Sequence, residues 1–481
     1  MRTLIRPLLC LILSTVLMYP AAAQVSNTLF FMGGVPQSNR VNPAYQPKAN
    51  LYVGIPFLAP ARMEASSSSL AYGDVIYPHP TQDSLITFLH PMGNTEDFLK
   101  QLKPLNVVAT DLGSSLISVG YRTEAGYFSL DVGTRLDGNI YYPGDLASLL
   151  LEGNGQEGDV FKMDGIGTDL SAFDEISVGW SYALSDQLFI GARAKMLLGI
   201  GNLSTIRSDL TVHAHEDVWN IRSDMLFNAS LPFAEVIYDD EGMIEDIIIN
   251  DDLLNPRPGD FPKYMFNFRN FGMGLDLGVT YRPLDELLLS LSLTDLAYIR
   301  WKDEVHQVSY VADYDYRGVE LNPFDMDEDY SLGDLLDSTL TQMADSLSGF
   351  LAFTENGVYS KRLNTKLFAG ASYDLTPTIN LGLLSRTDFL QQKVTEQLTF
   401  SANFRLKQFL DFSLSYSYMN HYFKNLGMGL SFCLGPVNLY LISDNALDNL
   451  FWPEQARSAN FWLGLNLVFG YKEKPDFPLI Q

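Results

Sequence analysis

Long stretches of strict two-residue alternation constrain the fold of this chain more than any other feature. From Thr399 to Leu406 every even-numbered residue is apolar and every odd-numbered residue is polar, and residues 410–418 repeat the pattern. Successive side chains of a β-strand point to opposite faces, so each stretch has one apolar and one polar face. The polar faces carry charges in mid-stretch, such as Asp131 and Arg135. The chain is therefore predicted to contain many strands that are apolar on one side only.

The length of these stretches separates two folds that alternation alone leaves open. A soluble β-sandwich also alternates, but its strands average about 5–6 residues. The stretches in this chain reach about 10 residues, which is what a tilted strand needs to cross a bilayer. Both folds are all-β, and length, the number of hairpins and the N-terminal leader described below favour the barrel. We predict a transmembrane antiparallel β-barrel of about 14 strands, within a range of about 12–16, with a few short loop or plug helices.

Tight polar turns recur between the alternating stretches. Residues 182–191 and 373–382 each carry an aromatic residue, a short polar turn and a new alternating stretch, and residues 281–290 are a looser copy. Turns of this kind are typical of the periplasmic rim of a membrane barrel, whose longer loops lie on the outer side.

Three segments have helical patterns, at residues 83–103, 143–151 and 331–350. The last has the clearest apolar stripe, with Ser331 and Asp334 placed as an N-terminal capping pair. It is interpreted as a helix packed at the barrel mouth or in the lumen. The alternative is a docking helix for a partner, or a gate.

The first 23 residues have the layout of a secretory signal peptide. Arg2 and Arg6 precede a short apolar run, and three alanines then offer a cleavage site between Ala23 and Gln24. The run is shorter than the about 20 residues that a membrane-spanning helix needs, so an uncleaved anchor is the less favoured alternative. No later stretch is long and apolar enough to cross a bilayer as a helix. We expect export to the outer membrane of a Gram-negative bacterium.

After the leader, residues 1–23, the sequence divides into three parts. Residues 24–49 form an N-terminal segment, residues 50–471 the outer-membrane barrel and residues 472–481 a C-terminal tail. Long acidic loops are predicted near residues 231–262 and 312–357. Residues 235–260 and 312–337 each contain nine acids and a single basic residue, which is typical of solvated loops.

Charge and cysteine content exclude several functions. The formal net charge is −25, and loss of the two leader arginines brings it to −27. Nucleic-acid binding requires a basic face to contact phosphates, so it is not expected. Only Cys433 follows the leader, so the chain has neither a disulfide framework nor a cysteine-based metal site.

Two patterns approach a metal site without completing one. His213 and His215 share a predicted strand face beside Glu216, but spacing places no third ligand. Residues 325–329 are acidic like the start of a calcium loop, yet Tyr330 stands where that loop requires glycine. Loose divalent binding, with lipopolysaccharide as co-ligand, remains the alternative to a solvated loop. Because nucleophile-elbow, P-loop and dinucleotide motifs are absent, we predict no cofactor, no catalytic residue and no enzyme.

A short motif before the first predicted strand points to a family. Asn42, Pro43 and Ala44 resemble the N-terminal motif of fatty-acid-transporter (FadL-type) barrels and of their Bacteroidetes relatives, among them the PorV and PorP-like barrels tied to type IX secretion. The chain resembles more closely the Bacteroidetes DUF5723 family of uncharacterised proteins. The features that carry this resemblance are residues 42–45, residues 53–56, the hairpin pattern and residues 435–445.

The resemblance implies a FadL-like outer-membrane barrel and supplies no activity. One departure lies in the last strand, where Trp462 occupies a position that is usually polar in barrel-assembly signals. Ten residues also follow Tyr471, so the last strand does not end the chain.

Two functions remain from different classes. The first is passive uptake of small hydrophobic molecules, with residues 24–49 as part of a lumen plug. It predicts a continuous apolar path or a lateral opening, and a lumen sealed by charged pairs would contradict it. The second is a non-transport accessory subunit of an envelope machine, of type IX secretion or gliding kind, with a polar, blocked lumen and partner-binding loops. A purely structural barrel is a third option. The expected partners are outer-membrane lipid and lipopolysaccharide, with hydrophobic small molecules or envelope proteins.

Overall fold

The computed structural model describes residues 27–152, 159–215, 218–238, 244–249, 266–316, 351–355, 357–391, 393–406, 409–419 and 422–471. The cleavage site Ala23–Gln24, the predicted helix 331–350, the acidic run 325–329 and the tail 472–481 lie outside these residues.

Strands dominate the described residues. In chain order they are β1 (Ala49–Gly54), β2 (Ala61–Ser67), β3 (Ile76–Pro78), β4 (Leu85–Thr87), β5 (Leu105–Thr123), β6 (Gly126–Pro143), β7 (Val160–Lys162), β8 (Gly167–Ala183), β9 (Leu188–Ala214), β10 (Trp219–Ser230), β11 (Ala234–Tyr238), β12 (Ile244–Ile249), β13 (Phe271–Leu284), β14 (Leu287–Trp301), β15 (Val305–Tyr316), β16 (Leu351–Glu355), β17 (Tyr359–Arg362), β18 (Thr365–Thr376), β19 (Ile379–Phe389), β20 (Val394–Leu406), β21 (Leu410–Met419), β22 (Tyr422–Leu434), β23 (Val437–Ser443) and β24 (Ser458–Tyr471).

The described helices are short. The α-helices are α1 (Tyr72–Val75), α2 (Thr95–Gln101), α3 (Gly144–Glu152) and α4 (Ala446–Phe451), and the 3₁₀ helices are Thr28–Phe31, Pro36–Arg40 and Pro453–Gln455. Among the described residues, none of the helices has the length and apolar character needed to cross a membrane.

Fourteen antiparallel wall strands close into a barrel, which confirms the predicted fold. The first wall strand is made of β1 and β2 together, and the others are β5, β6, β8, β9, β13, β14 and β18 to β24. The seam is the pairing of the first wall strand with the last, where Ala49 lies opposite Tyr471 and Ala61 opposite Leu463. Closure leaves the membrane-spanning wall without a free strand edge, as hydrocarbon surroundings require.

The two faces of the wall match the alternation in the sequence. Phe400 is 55% exposed on the outside, whereas its neighbours Thr399 and Ser401 are buried in the lumen. The same division places Phe461 and Leu463 outside and Trp462 inside. An apolar exterior around a polar interior is the pattern of a transmembrane barrel.

The turns at one rim are all short, and the long connections lie at the opposite rim. The three predicted hairpins are confirmed, since β8 ends at Ala183 and β9 begins at Leu188, and the turns after β13 and β18 are shorter still. The predicted helix 143–151 is found as α3. The predicted helix 83–103 is wrong over most of its length, because β4 and a loop containing Pro91 and Gly93 precede α2. Proline and glycine interrupt a helix there, and Asn94 caps the start of α2 by accepting a hydrogen bond from Asp97 N at 3.1 Å.

One side of the barrel continues beyond the wall at the long-connection rim. β9 is 27 residues long; its first part pairs with β13, and Asn202–Ala214 pairs with β10. We call Asn202–Ala214, together with β7, β10, β15 and β16, the projecting sheet. Because β10 lies end to end with β13, and β15 with β14, this sheet extends the wall outward.

Candidate functional site

The lumen is occupied by residues 27–48, which we call the plug. Its side chains contact the inward faces of strands from all round the barrel. Gln37 Nε2 donates to Asn466 Oδ1 at 2.7 Å, and Arg40 Nη2 donates to Asp131 Oδ1 at 2.8 Å. The predicted N-terminal segment is therefore found inside the barrel along its described part.

One carboxylate binds the backbone amides at the start of the plug. Asp444 follows β23 and accepts hydrogen bonds from the backbone amides of Asn27 at 2.7 Å and Thr28 at 2.8 Å. Asn460 Nδ2 donates to the same carboxylate at 3.1 Å. Backbone donors of a short 3₁₀ turn have no partner within the turn, so a carboxylate at this end satisfies them.

An apolar belt surrounds the plug at mid-lumen. The apolar side chains of the plug pack against apolar residues on the otherwise polar inner wall, and all of them are buried. The plug contributes Leu29, Phe30, Phe31, Met32, Val35, Val41 and Tyr45, and the wall contributes Leu288, Phe368, Leu384, Tyr440, Ile442 and Trp462. Burial also raises the pKa of the Tyr45 phenol above its usual range, so this side chain stays neutral in the belt.

The Asn-Pro-Ala motif lies where two wall strands carry glycine. Asn42 is buried, and its Oδ1 accepts a hydrogen bond from Ala44 N at 3.0 Å, which fixes a tight turn. Gly191 and Gly278 line the wall beneath this turn. A Cβ atom at Gly191 would lie 2.1 Å from the carbonyl oxygen of Pro43. The motif thus works as a packing element of the plug, and Asn42, Pro43 and Ala44 are brought together in the lumen.

A layer of buried ion pairs fills the lumen beside the plug. Arg135 contacts three carboxylates, those of Asp111 at 2.6 Å, Asp295 at 2.8 Å and Asp137 at 3.0 Å. Lys195 contacts Asp295 at 2.7 Å. The further pairs are Arg40–Asp131, Arg193–Asp131, Arg62–Asp111, Lys195–Asp276, Lys366–Asp295 and Arg386–Asp388. The charged side chains predicted on inward faces, such as Asp131 and Arg135, therefore neutralise one another.

A polar cavity lies on the outer side of this layer. It measures about 60 Å³, and the inner ends of its walls are formed by Asp111, Asp137, Lys366 and Arg386. Glu64 lines it with both carboxylate oxygens buried and without a hydrogen-bond partner among the described residues. A buried carboxylate without a partner is costly, so Glu64 is the least satisfied group of the lumen.

The wall is interrupted at one place beside the plug. Seven residue steps from Gly54 to Ala61 lie opposite only three steps from Asn466 to Leu463 on β24. The excess chain, residues 55–60, bulges outward, and Phe57 is 63% exposed on the lipid side. Phe57 has a φ of 63°, a left-handed conformation that costs a non-glycine residue energy. We call residues 55–60 the wall bulge.

Two further small polar cavities lie in the lumen. One of about 20 Å³ lies behind the wall bulge and is lined by Pro60, Ser115 and Arg40. Another of about 30 Å³ lies within the ion-pair layer, between Arg62, Arg135 and Trp462. The described residues contain no continuous apolar path through the lumen. Passage along the barrel therefore requires the plug or the ion-pair layer to move.

The candidate metal ligands do not form a site in the described residues. His213 lies on the projecting sheet opposite Asn220, and His215 follows the end of β9. The part of the chain that the structure describes holds no group of three or more histidine, cysteine or acidic residues placed to bind a metal ion.

Sequence reasoning did not find the wall bulge or the glycine pair under the motif. Residues 55–60 include two prolines, Pro56 and Pro60, which interrupt the strand pattern, and this would have marked the break. Trp462 departs from the usual barrel-assembly pattern, and it belongs to the apolar belt. A large apolar side chain at this position is explained by the packing of the belt around the plug.

Comparison with known proteins gives a family and a set of similar barrels. The model of the "Family of unknown function (DUF5723)" matches residues 43–444. No curated protein matches the sequence. Similar solved structures include the toluene transporter TbuX of Ralstonia pickettii, with 9% identity, coverage of 94% of this chain and 95% of that one, and a TM-score of 0.39. A FadL homologue of Pseudomonas aeruginosa has 9% identity, coverage of 94% and 100%, and a TM-score of 0.41. At these values the similarity carries no argument about function.

Proposed function

Since the chain belongs to the DUF5723 family and folds as a plugged membrane barrel, we propose that it resides in the outer membrane and admits small hydrophobic molecules. The plug, residues 27–48, acts as the gate, and the wall bulge, residues 55–60, is the exit. The leader with cleavage between Ala23 and Gln24 is part of this proposal, because export precedes assembly in the outer membrane.

The wall bulge is the observation that carries the proposal. At this place the first wall strand leaves regular pairing over residues 55–60 at mid-height. Individual hydrogen bonds to β5 and β24 hold the bulge in place of regular strand pairing, among them Phe57 N to Ser115 O at 2.7 Å and Leu465 N to Leu58 O at 2.9 Å. A break that faces hydrocarbon is a route that an apolar molecule can take and a polar one cannot.

The apolar belt supports a hydrophobic cargo. Six apolar wall side chains line the lumen at the level of the plug, on a wall that is otherwise polar. If the plug withdraws, these side chains lose their partners, and an apolar molecule restores the buried contacts. The ion-pair layer and the plug close the lumen in the conformation described, which counts against uptake through this conformation. Uptake therefore requires both the plug and the ion-pair layer to rearrange.

Two reversible locks test this proposal in a Cys433→Ser background. Cysteines in place of Thr28 and Ser415, whose hydroxyl oxygens are bonded directly to Cβ and lie 2.7 Å apart, tie the plug to β21. Cysteines in place of Pro60 and Ser115, whose backbones are hydrogen-bonded at 3.2 Å, tie the wall bulge to β5. Uptake of labelled toluene is measured in intact cells with a lipopolysaccharide outer leaflet, with sucrose as the polar control.

We expect expression of the unlocked chain to raise toluene uptake, with either oxidised lock abolishing the increase and a reductant restoring it. Uptake no faster than in cells without the protein contradicts the proposal. Undiminished uptake with the oxidised plug lock shows that the plug is not the gate.

An accessory subunit of an envelope machine is the second candidate, and a different observation favours it. The lumen is polar and closed by ion pairs, as that function predicts, and the projecting sheet offers a surface beyond the membrane. Mild detergent extraction at native expression tests it: a stoichiometric envelope partner, lost when β10 and β15 are removed, supports the accessory function, and a lone monomer contradicts it.

A further inference from the structure

Four exposed cations cluster on the outer face of this acidic barrel, at the long-connection end of the wall. They are Arg269, Arg300, Lys302 and Arg362, and we call them the basic cluster. Within the described residues only Arg269 has an acidic partner, Asp303 at 2.5 Å. In a chain whose net charge is −25, three exposed cations without a carboxylate partner at one place are unexpected.

Neighbouring strands bring these cations together. Tyr298 of β14 lies directly opposite Arg362 of β17, and Arg300 follows two residues later on the same outward face. Diagonal neighbours of this kind are about 7–8 Å apart, within reach of long side chains. Lys302 N and Asp303 N both donate to Asn270 Oδ1, at 2.8 and 2.9 Å, which holds Lys302 next to Arg269.

The outward side chains below the cluster change character in order along β13 and β14. Leu275 lies opposite Leu296, and Met273 lies opposite Tyr298, all of them exposed on the lipid side. The next outward residue of β14 is Arg300, followed by Lys302. The outward side chains are thus first aliphatic, then aromatic and then cationic. This order matches the change from the hydrocarbon core of a membrane through its interface to the headgroup layer.

The other exposed arginines of the described wall and projecting sheet each form an ion pair with an aspartate. Arg207 contacts Asp224 at 2.6 Å, and Arg222 contacts Asp313 at 3.2 Å, both on the projecting sheet. The exposed acid beside the cluster is Glu304. The basic cluster is therefore the place in the described chain where exposed cations lie at the membrane boundary and are not neutralised.

We propose that the basic cluster binds the phosphate groups of a phosphorylated glycolipid of the outer leaflet, whose acyl chains lie on Met273, Leu275 and Leu296. This rests on the proposed outer-membrane location but not on uptake. A guanidinium binds phosphate through two parallel hydrogen bonds, and a lysine adds a point charge, so two arginines and a lysine suit a phosphorylated sugar. The exposed apolar ladder below the cations favours a lipid over a free anion.

The experiment measures binding of bisphosphorylated lipid A to the purified full-length barrel in detergent by native mass spectrometry. The test variant is Arg300→Gln/Lys302→Gln/Arg362→Gln. The matched control, Arg207→Gln/Arg222→Gln, removes two cations from the projecting sheet. Dephosphorylated lipid A and inorganic phosphate are the two ligand controls.

We expect the test variant to bind lipid A at least tenfold more weakly than the unaltered chain, and the control variant to bind it equally well. The unaltered chain should bind dephosphorylated lipid A as weakly as the test variant binds lipid A. Equal binding by the test variant overturns the proposal, as does equal binding of the dephosphorylated lipid. Competition by inorganic phosphate at matched concentration would identify a simple anion site instead. A folded, heat-modifiable test variant shows that any loss is local, and the uptake locks lie far from these residues, so the two proposals fail separately.

Discussion

Gly191 of β9 and Gly278 of β13 are direct register partners on the inner wall, and the turn at Pro43 packs against both of them. A side chain at either glycine position would occupy the space of the plug. The Asn-Pro-Ala motif and this glycine pair are therefore two halves of one contact.

Replacing either glycine should undock the plug. In Gly278→Ala the new Cβ would lie 2.1 Å from Asn42 Oδ1, and in Gly191→Ala it would meet the Pro43 carbonyl. We expect a loss of about 1–3 kcal/mol from overpacking and faster proteolysis within residues 27–48. Gly357→Ala is the control, because its Cβ meets no atom within 4 Å. Unchanged protease resistance in both lumen variants would show that the plug does not depend on this contact.

Asp131 should be essential for the closed lumen. Its carboxylate contacts Arg40 of the plug at 2.8 Å and Arg193 of the wall at 3.3 Å. Asp131→Asn leaves two buried guanidinium groups short of a counter-charge, so we expect a loss of about 3–5 kcal/mol and increased ion leakage in planar bilayers. Asp313→Asn removes one partner of an exposed pair with Arg222, and its effect should stay below about 1 kcal/mol. Equal effects of the two substitutions would contradict this.

Truncation of Trp462 should destabilise the barrel much more than truncation of Phe461, although the two residues are adjacent. Trp462 is 1% exposed in the apolar belt, and Phe461 is 44% exposed on the lipid side. Trp462→Ala leaves a cavity against the plug and should cost about 3–5 kcal/mol. Phe461→Ala should cost much less, because lipid fills the space. The temperature at which the folded band disappears in heat-modified electrophoresis measures both, and a larger loss for Phe461→Ala would reverse the assignment of the two faces.

Glu64→Gln should stabilise the barrel. The Glu64 carboxylate is buried and lacks a hydrogen-bond partner among the described residues, so a neutral side chain of the same shape lowers the desolvation cost by about 1–3 kcal/mol. Heat-modified electrophoresis at neutral pH checks the direction. Glu304→Gln, on the exposed surface, is the control and should leave the transition in place. A destabilised Glu64→Gln barrel would mean that Lys366 and Arg386, which line the same cavity, outweigh the desolvation cost of the carboxylate.

The sequence predicted the wall better than its contents, for a physical reason. Alternation records which side of a strand contacts lipid, so Phe400 and Ser401 could be assigned to their faces from local pattern alone. The plug contacts are of another kind: Asn27 binds Asp444 and Gln37 binds Asn466, pairs separated by more than 400 residues. No local pattern encodes which strands meet the plug, so the apolar belt and the glycine pair required the structure.

The predicted helix at residues 83–103 shows a different limit. Its apolar spacing suited a helix, but Pro91 and Gly93 interrupt it, and α2 occupies only Thr95–Gln101. The break at residues 55–60 was likewise visible as two prolines in a strand pattern. In both places proline or glycine ends the regular structure that the spacing of apolar residues had suggested.

The length of β9 separates charges that would otherwise oppose each other. Asn202–Ala214 adds about 40 Å of strand at about 3.3 Å per residue, and the projecting sheet carries Asp209 and Asp315 on its exposed surface. Electrostatic repulsion in physiological salt decays over about 8 Å. Acids carried several such lengths above an anionic leaflet no longer repel it, so the molecule can remain strongly acidic overall while its membrane-level surface is locally cationic.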